Sequence, residues 1–325
     1  MLLNIIGLLA GFLFLIFSAD YFVKGTAAIA RNFGISPLII GLTIVGLGTS
    51  APEMLVAGLS SLQGNTGLAT GNAIGSNIAN IGLVLGTTAL VAPILIKSSL
   101  LKRELPVLLA ISIASYLLVI DGDLSRLDGI ILLSGLAAFM YWLLRSAKQS
   151  KANNIDTLDV EFSDEIPSDL SSTRAFFYFL AGLAGLIASS KLLVWAAVNM
   201  AVAFGVSDLV IGLTIVAIGT SLPELAASIA SVLKKEPDLA IGNIIGSNAF
   251  NLLAVFCLPG LIHPGTVDNL LVSRDFPIML GFTLLLFFSA YSFNGQPTIS
   301  RLKGGLFMLF FISYLSKVYL DTIGI

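Results

Sequence analysis

Two glutamates occupy the same place in two copies of one short motif, and each lies within a long apolar stretch. Glu53 ends the segment Gly-Thr-Ser-Ala-Pro-Glu, and Glu224 ends Gly-Thr-Ser-Leu-Pro-Glu. An ionised side chain at the centre of a bilayer costs at least about 2.5–3.5 kcal/mol and usually marks an ion pathway or a proton relay. The alternative is a neutral, hydrogen-bonded structural glutamate, but no Lys or Arg is placed at the same depth as a partner. The pair therefore predicts a bound cation.

A proline precedes each glutamate and predicts a broken or sharply kinked helix. Pro52 has no N–H for the carbonyl of Gly48, and Pro223 has none for the carbonyl of Gly219. Unpaired backbone is tolerated at this depth only where protein or a water-filled cavity satisfies it. We expect a bound cation to be a partner for these freed carbonyls.

Hydroxyl and amide side chains accompany the glutamates at helical spacing. Thr49 and Thr220 each lie four residues before a glutamate, so hydroxyl and carboxylate can share a face. For these residues and for Ser50 and Ser221, the alternative is a hydrogen bond back to the preceding turn. Oxygen ligands suit hard cations such as Ca²⁺ and Na⁺, and two carboxylates balance one divalent ion or two monovalent ions. A second repeated block has candidate ligands at positions i, i+4 and i+8 of a helix: Asn72, Ser76 and Asn80, then Asn243, Ser247 and Asn251. The alternative to cation binding by these residues is interhelical hydrogen bonding.

The elements that position these residues are apolar helices. Of the 325 residues 56% are hydrophobic and 11% are charged, whereas soluble domains have about 25% charged residues. The sequence has no basic segment with interleaved aromatic residues that would indicate nucleic-acid binding. Cys257 is the only cysteine and His263 the only histidine, which argues against an intramolecular disulfide and against a zinc site. Because a transmembrane helix needs about 20 apolar residues, the chain is predicted to be an all-α integral membrane protein with ten transmembrane helices: 3–23, 37–62, 68–93, 104–120, 127–146, 173–200, 209–233, 239–261, 275–293 and 304–321.

An internal repeat relates the two groups of five helices at a constant offset of 171 residues. Residues 41–53 match 212–224 at ten of thirteen positions, and residues 68–80 match 239–251 at nine of thirteen, both without a gap. Five spans per copy is an odd number, so the second copy must enter the bilayer from the opposite side. This predicts two inverted five-helix repeats, the usual plan of secondary transporters. At the same offset, Arg103-Glu104-Leu105-Pro106 matches Arg274-Asp275-Phe276-Pro277 in residue type. Asp20 aligns with Lys191, and these two residues are interpreted as interfacial anchors.

The repeat also predicts the domain division and the orientation. Residues 1–146 form the first half, the acidic segment 147–172 is a linker, and residues 173–325 form the second half. With the amino terminus outside, thirteen of the 17 Lys and Arg residues fall in or beside the cytoplasmic regions, as the positive-inside rule requires. Both termini are thus predicted outside, or periplasmic, and the linker is predicted in the cytoplasm, in a multi-pass plasma (inner) membrane protein.

At these motifs the chain resembles the calcium/cation antiporter superfamily, and within it the bacterial members similar to sodium/calcium exchangers. Both halves carry the α-repeat signatures, GTSAPE with GSNIAN and GTSLPE with GSNAFN. The resemblance implies exchange of Ca²⁺ for Na⁺ or H⁺ by alternating access, with no prosthetic group and with the transported cations and the lipid bilayer as partners. It also implies that the long first and sixth helices slide across a rigid core. By matching positions it implies that Glu53 and Glu224 bind both cations and that flanking sodium sites are completed by Thr49, Ser50, Ser76, Thr220, Ser221, Ser247 and the carbonyls of Gly46 and Ala217.

One position departs from the family pattern and leaves the driving ion open. Asn251 stands where some characterised exchangers have aspartate, and Asn80 is its equivalent in the first copy. We keep both as candidate ligands and keep Na⁺/H⁺ or K⁺-linked exchange on the same fold as an alternative. A channel would use similar ligands, but inverted repeats with discontinuous helices favour alternating access. An enzyme would need a His pair, an aspartate dyad or a catalytic metal, which the sequence does not indicate. The oligomeric state is open, and a monomer is compatible with the sequence.

Overall fold

The first half of the chain folds almost entirely into helices, because backbone groups within a bilayer must be satisfied inside their own segment. The computed structural model describes residues 2–35, 37–96, 101–152, 170–203, 217–290 and 297–323. The helices and strands of the first half are α1 (Leu2–Phe33), α2 (Pro37–Ile40), α3 (Gly46–Thr49), α4 (Ala51–Leu62), α5 (Thr66–Ala79), α6 (Gly86–Val91), β1 (Ile94–Leu95), α7 (Leu101–Val119), β2 (Asp123–Leu124) and α8 (Arg126–Ala152).

The second half has a similar order of elements. Its helices and strands are α9 (Ser172–Ala203), α10 (Ala217–Thr220), α11 (Leu222–Leu233), α12 (Pro237–Phe250), α13 (Cys257–Ile262), β3 (Gly265–Thr266), α14 (Phe276–Ala290), β4 (Thr298–Ile299) and α15 (Arg301–Ile323). Wider π-helical turns interrupt the helices at Gly41–Val45, Asn80–Leu85, Asn251–Val255 and Leu271–Asp275. Two of these turns connect α5 to α6 and α12 to α13, so each pair forms one long span.

Seven described helices are long and apolar enough to cross a membrane, and the bent pair 38–49 and 51–62 raises this number to eight. The predicted span 104–120 corresponds to α7, which is 19 residues long but has Lys102, Arg103 and Glu104 near its start. The predicted span 209–233 falls partly outside the described residues, and its described part is α10 and α11. The protein is thus an all-α membrane protein, while the count of ten spans stays a prediction.

Helices α1 and α9 form a pair with its own apolar core. Both are 32 residues long, and Phe22 stacks near Phe179 with ring centroids 5.4 Å apart. Gly25 and Gly182 allow this approach, since a Cβ on Gly182 would lie 2.4 Å from the backbone nitrogen of Phe22. The residues of this pair belong to one buried cluster, and most helices of the remaining core belong to a second, larger cluster.

Two short ribbons connect the halves of the protein. Strand β1 pairs antiparallel with β4, and β2 pairs antiparallel with β3. In each ribbon one strand comes from the first half and the other from the second half, so the backbones of the two halves are hydrogen-bonded to each other at both ribbons.

Some helix ends differ from the predicted boundaries. Helix α1 continues to Phe33, ten residues past the predicted end, because Lys24 pairs with Asp20 one turn earlier at 2.8 Å and can remain on the helix. Helix α8 continues to Ala152, into the predicted linker. Residues 153–169 of the predicted linker lie outside the described residues, so the domain division stays a prediction.

Candidate cation site

The helices that carry both glutamates are broken where the prolines predict. The segments 38–49 and 51–62 meet at 42°, and Ser50 between them leaves helical geometry with φ −79° and ψ 5°. Ser221 has nearly the same backbone angles, φ −85° and ψ 3°, before α11. Each proline therefore occupies the first turn of a new helix, where its missing N–H costs no hydrogen bond. Pro52 and Pro223 are both fully buried there.

The predicted role of the prolines in freeing carbonyls is wrong for Gly48. Backbone N–H groups at the end of α3 donate to the carbonyls of Gly46 and Gly48, because a helix can tighten its last turn to satisfy carbonyls that lose their usual partner. Gly219 in the second half also has an interaction partner. The broken helix of the first half thus repositions side chains and does not leave the carbonyl of Gly48 bare.

Glu53 and Glu224 lie together at the centre of the protein. Both are 0% exposed, and their carboxylates are close enough to repel one another. Each lies in the first turn of its helix, where the positive end of the helix dipole stabilises negative charge. Two carboxylates in a buried position need either a bound proton or a bound cation to offset their charge, so this arrangement can attract cations.

Hydroxyl groups from both halves surround Glu224. Its Oε1 accepts hydrogen bonds from Ser50 and Ser247, each at 3.4 Å. The hydroxyl of Thr49 lies 3.3 Å from that of Ser247 and donates to Oδ1 of Asn243 at 3.1 Å. Ser50 and Thr49 belong to the first half, whereas the other residues belong to the second half. The site is therefore built by side chains that are distant in sequence.

The environment of Glu53 is related but less satisfied. The hydroxyls of Thr220 and Ser76 face its carboxylate, yet neither carboxylate oxygen has a hydrogen-bond partner among the described residues. Three further oxygens are buried without a hydrogen-bond partner among the described residues: Oε2 of Glu224 and the hydroxyls of Ser76 and Ser221. Buried polar atoms are normally paired, so these oxygens are available to coordinate a cation or water.

Asn72 and Asn243 hold the backbone of the broken helices, a role that the sequence analysis did not assign. Nδ2 of Asn72 donates to the carbonyl of Glu53 at 3.1 Å. Nδ2 of Asn243 donates to the carbonyl of Glu224 at 3.4 Å and to Ser228 Oγ at 3.2 Å. Both pairs are 19 residues apart in sequence, and this shared spacing in the two copies was the signal that could have identified them.

Asn80 and Asn251 lie at the start of matching π-helical turns. Both side chains are 0% exposed, and neither their amide nitrogens nor their oxygens have partners among the described residues. Asn248 is in the same condition, and Oδ1 of Asn77 also lacks a partner. These last two asparagines follow the repeated serines directly, and sequence reasoning missed them. Since π-helical turns often occur at functional sites, these buried and unpartnered amides keep Asn80 and Asn251 as candidate ligands.

The remaining predicted residues have mixed surroundings. The Thr49 hydroxyl also lies 3.1 Å from the carbonyl of Val45, so its single proton is shared between that carbonyl and Oδ1 of Asn243. The back-bonding alternative therefore applies to Thr49 in part. The carbonyl of Gly46 accepts a hydrogen bond from Ser247 at 3.4 Å and thus faces the same centre. Ala217 begins α10, directly after residues that the structure does not describe. Its role as a carbonyl ligand stays a prediction.

Comparison with known proteins identifies the family of this chain. The family described as sodium/calcium exchanger protein matches residues 3–145 and 174–320, which contain all the site residues. The chain belongs to the sodium/calcium exchanger family. It is therefore a member of the calcium/cation antiporter superfamily, as the motifs indicated.

Two bacterial relatives match over 98% of their own length. The putative antiporter CaxA of Alkalimonas amylolytica is 46% identical over 97% of this chain and 98% of its own. The inner membrane protein YrbG of Escherichia coli K12 is 41% identical over 98% of both chains. A solved structure of the sodium-calcium exchanger NCX_Mj, soaked with 2.5 mM Na⁺ and 0.1 mM Ca²⁺, superposes with a TM-score of 0.82 and 31% identity over 97% of this chain and 98% of that chain. An exchanger of this family is a multi-pass membrane transporter and not an enzyme.

Proposed function

We propose that this protein is a secondary antiporter that exchanges Ca²⁺ for Na⁺ by alternating access. The observation that carries the proposal is the pair of fully buried carboxylates, Glu53 and Glu224, inside a shell of hydroxyl and amide oxygens. Two carboxylates can balance one Ca²⁺ or two Na⁺. Because Ca²⁺ and Na⁺ would both bind to the same two carboxylates, the two cations compete for one site. An exchanger needs such competition.

The proposed coordination uses the two glutamates and polar residues of the two repeated blocks. The carboxylates are the shared ligands, since hard cations prefer charged oxygens. The hydroxyls and amides around them have the unpartnered oxygens that a partly dehydrated cation requires. We assign the flanking positions to Thr49, Ser50, Ser76, Thr220, Ser221, Ser247, Asn80, Asn251 and the carbonyls of Gly46 and Ala217.

The proposed architecture is two inverted five-helix repeats, and the ribbons support it. The offset of 171 residues maps β1 onto β3, and it maps β2 onto β4 with a shift of four residues. The pairing of β1 with β4 is thereby mapped onto the pairing of β3 with β2. A two-fold relation between the halves predicts this exchange of partners. In the ten-span arrangement one ribbon lies at the cytoplasmic face and the other at the outer face.

The proposal is tested with purified protein in liposomes that contain a calcium-sensitive dye. Vesicles loaded with Na⁺ are diluted into Na⁺-free buffer with Ca²⁺, so that Na⁺ efflux can drive Ca²⁺ uptake. We expect the dye signal to rise with Na⁺-loaded vesicles and not with K⁺-loaded vesicles or with an imposed H⁺ gradient. Uptake driven by K⁺ or H⁺ instead would identify another cation pair on the same fold, and no Ca²⁺ movement under any gradient would contradict calcium transport.

Variants of the glutamates separate the site from the rest of the fold. Glu53→Gln and Glu224→Gln keep the shape of the side chain but remove one of the two charges, so we expect each to abolish Ca²⁺ uptake. Glu104→Gln is the matched control, because Glu104 is also buried, at 1% exposure, and also lacks a hydrogen-bond partner among the described residues. Transport that survives Glu53→Gln would show that the proposed centre is wrong.

A further inference from the structure

An ion pair joins helix α1 to the helix that carries Glu224. Oδ1 of Asp20 lies 2.6 Å from Nζ of Lys234, and Oδ2 lies 2.8 Å from Nζ of Lys24. Lys234 is the C-cap of α11, ten residues after Glu224, which corresponds to about 15 Å along a helix. The Lys234 side chain is 14% exposed, so this contact is partly removed from water and is screened less than a surface pair.

Apart from Leu222 in its first turn, the residues of α11 that pack with α1 and α9 are alanines. Ala227 is buried in the cluster of α1 and α9, and Ala226 and Ala230 pack against the same cluster. Small residues let helix backbones approach closely, but they interlock less deeply than large side chains. The ion pair is therefore one specific contact that favours this position of α1 along α11.

The repeat does not reproduce this ion pair in the other half. At the offset of 171 residues, Asp20 corresponds to Lys191 on α9, and Lys234 corresponds to Gln63. Gln63 is the C-cap of α4 just as Lys234 is the C-cap of α11. The matching face of α4 is uncovered in this structure, with Leu55 at 51% and Leu59 at 58% exposure. The contact between α1 and α11 is thus formed and ion-paired in this structure. The equivalent contact between α9 and α4 is not formed, and the equivalent residues, Lys191 and Gln63, do not have opposite charges.

We propose that the pair of Asp20 and Lys234 is a one-sided latch that favours the conformation described here. The inference rests on the proposed inverted repeat, in which the opposite conformation brings α9 against α4 as α1 now lies against α11. In that conformation Lys191 faces Gln63, and no ion pair compensates for the lost contact of Asp20. The latch therefore biases the equilibrium between the two access states, independently of which cation is bound.

The test measures the conformation itself. Spin labels at Phe14→Cys on α1 and Leu144→Cys on α8, both exposed positions, are introduced in a Cys257→Ser background. Their distance distribution is recorded by pulsed electron paramagnetic resonance in lipid nanodiscs without Na⁺ or Ca²⁺. We expect one major population and a minor one, and we expect Asp20→Asn to increase the ratio of minor to major about twofold to fivefold, as loss of a partly exposed ion pair allows.

Three further variants make the result specific. Lys24→Gln keeps the contact between Asp20 and Lys234, so its distribution should equal that of the parent. The charge exchange Asp20→Lys with Lys234→Asp should restore the parent distribution, which also shows that the fold tolerates changes at these positions. Gln63→Glu should create a pair with Lys191 in the opposite conformation and enrich the minor population, and adding Lys191→Gln should cancel that effect.

The outcomes distinguish the latch from the proposed transport function. No labelled variant needs to move Ca²⁺, so a failure of calcium exchange in liposomes leaves this measurement unaffected. Equal distributions for the parent and Asp20→Asn would overturn the latch. A Gln63→Glu variant that leaves the minor population unchanged would overturn its one-sided character.

Discussion

At the scale of single residues, the site depends on a few side chains that hold others in place. Asn243 is the most connected of them, because it accepts from Thr49 and donates to both the carbonyl of Glu224 and Ser228. Asn72 makes one comparable contact, to the carbonyl of Glu53. The two positions are equivalent in the repeat but unequal in the structure, so their substitution should have unequal effects.

We predict that Asn243→Ala weakens the apparent Ca²⁺ affinity more than Asn72→Ala does. Loss of a partner leaves buried polar groups unsatisfied at a cost of about 1–3 kcal/mol, which corresponds to about fivefold to hundredfold in affinity for Asn243→Ala. The measurement is the Ca²⁺ dependence of uptake in liposomes. Asn269→Ala, at an exposed position, is the control and should leave the affinity unchanged. Equal effects of the two site variants would contradict the asymmetry seen here.

A second prediction concerns the neutral Asn251. We expect Asn251→Asp to make Ca²⁺ uptake strongly dependent on pH, with higher affinity at higher pH. A third carboxylate beside Glu53 and Glu224 must lose a proton before it can be a ligand, and cation binding then releases protons. Uptake by the variant and the parent is compared over a pH series, with Asp268→Asn as an exposed control. A variant with the same pH profile as the parent would place Asn251 outside the site.

At the scale of elements, close backbone packing brings the first half against α12. A Cβ on Gly246 would lie 2.7 Å from the carbonyl oxygen of Leu42, and one on Gly46 would lie 3.0 Å from the backbone of Gly246. These glycines let the turn Gly41–Val45 and helix α3 lie directly on α12, which is how Thr49 reaches Ser247. The glycines thus determine the geometry of the site although they carry no side chains.

We therefore predict that Gly246→Ala destabilises the protein by about 1–3 kcal/mol, the usual cost of an overpacked core. The measurement is the midpoint of thermal unfolding in detergent, which should fall. Gly281→Ala is the matched control, because no described atom lies within 4 Å of a Cβ at that position and alanine favours a helix. A Gly246→Ala protein as stable as the parent would mean that the two segments can separate at little cost.

At the scale of the whole molecule, the described helices share two buried clusters. The cluster around α1 and α9 also includes Ile40, Val45, Ala227 and Leu239 from neighbouring elements, whereas the larger cluster is formed by the other helices, which the two ribbons also connect. Rigid-body movement between two such units is the usual way in which inverted-repeat transporters alternate access. The latch of Asp20 and Lys234 acts at the boundary between these units.

The proposed orientation leads to a prediction about labelling. In a Cys257→Ser background, Asp123→Cys at β2 should react with a membrane-impermeant thiol reagent added outside intact cells. Pro93→Cys, next to β1, should react only after the cells are permeabilised. Both positions are exposed, so a difference reports the side of the membrane and not burial. The reverse pattern would place both termini in the cytoplasm and contradict the charge-based orientation.

The sequence by itself determined the membrane class, the repeat, the broken helices and the central glutamates, because these depend on composition and on local spacing. Tertiary structure decided which oxygens meet. Thr49 contacts Asn243, which lies 194 residues away, and no periodicity within one helix can specify that pairing. It also decided that Gly48 keeps a backbone partner and that Lys234 reaches Asp20, since such contacts depend on how separate helices pack. Local patterns specify the face of a helix, whereas packing between the halves selects what that face touches.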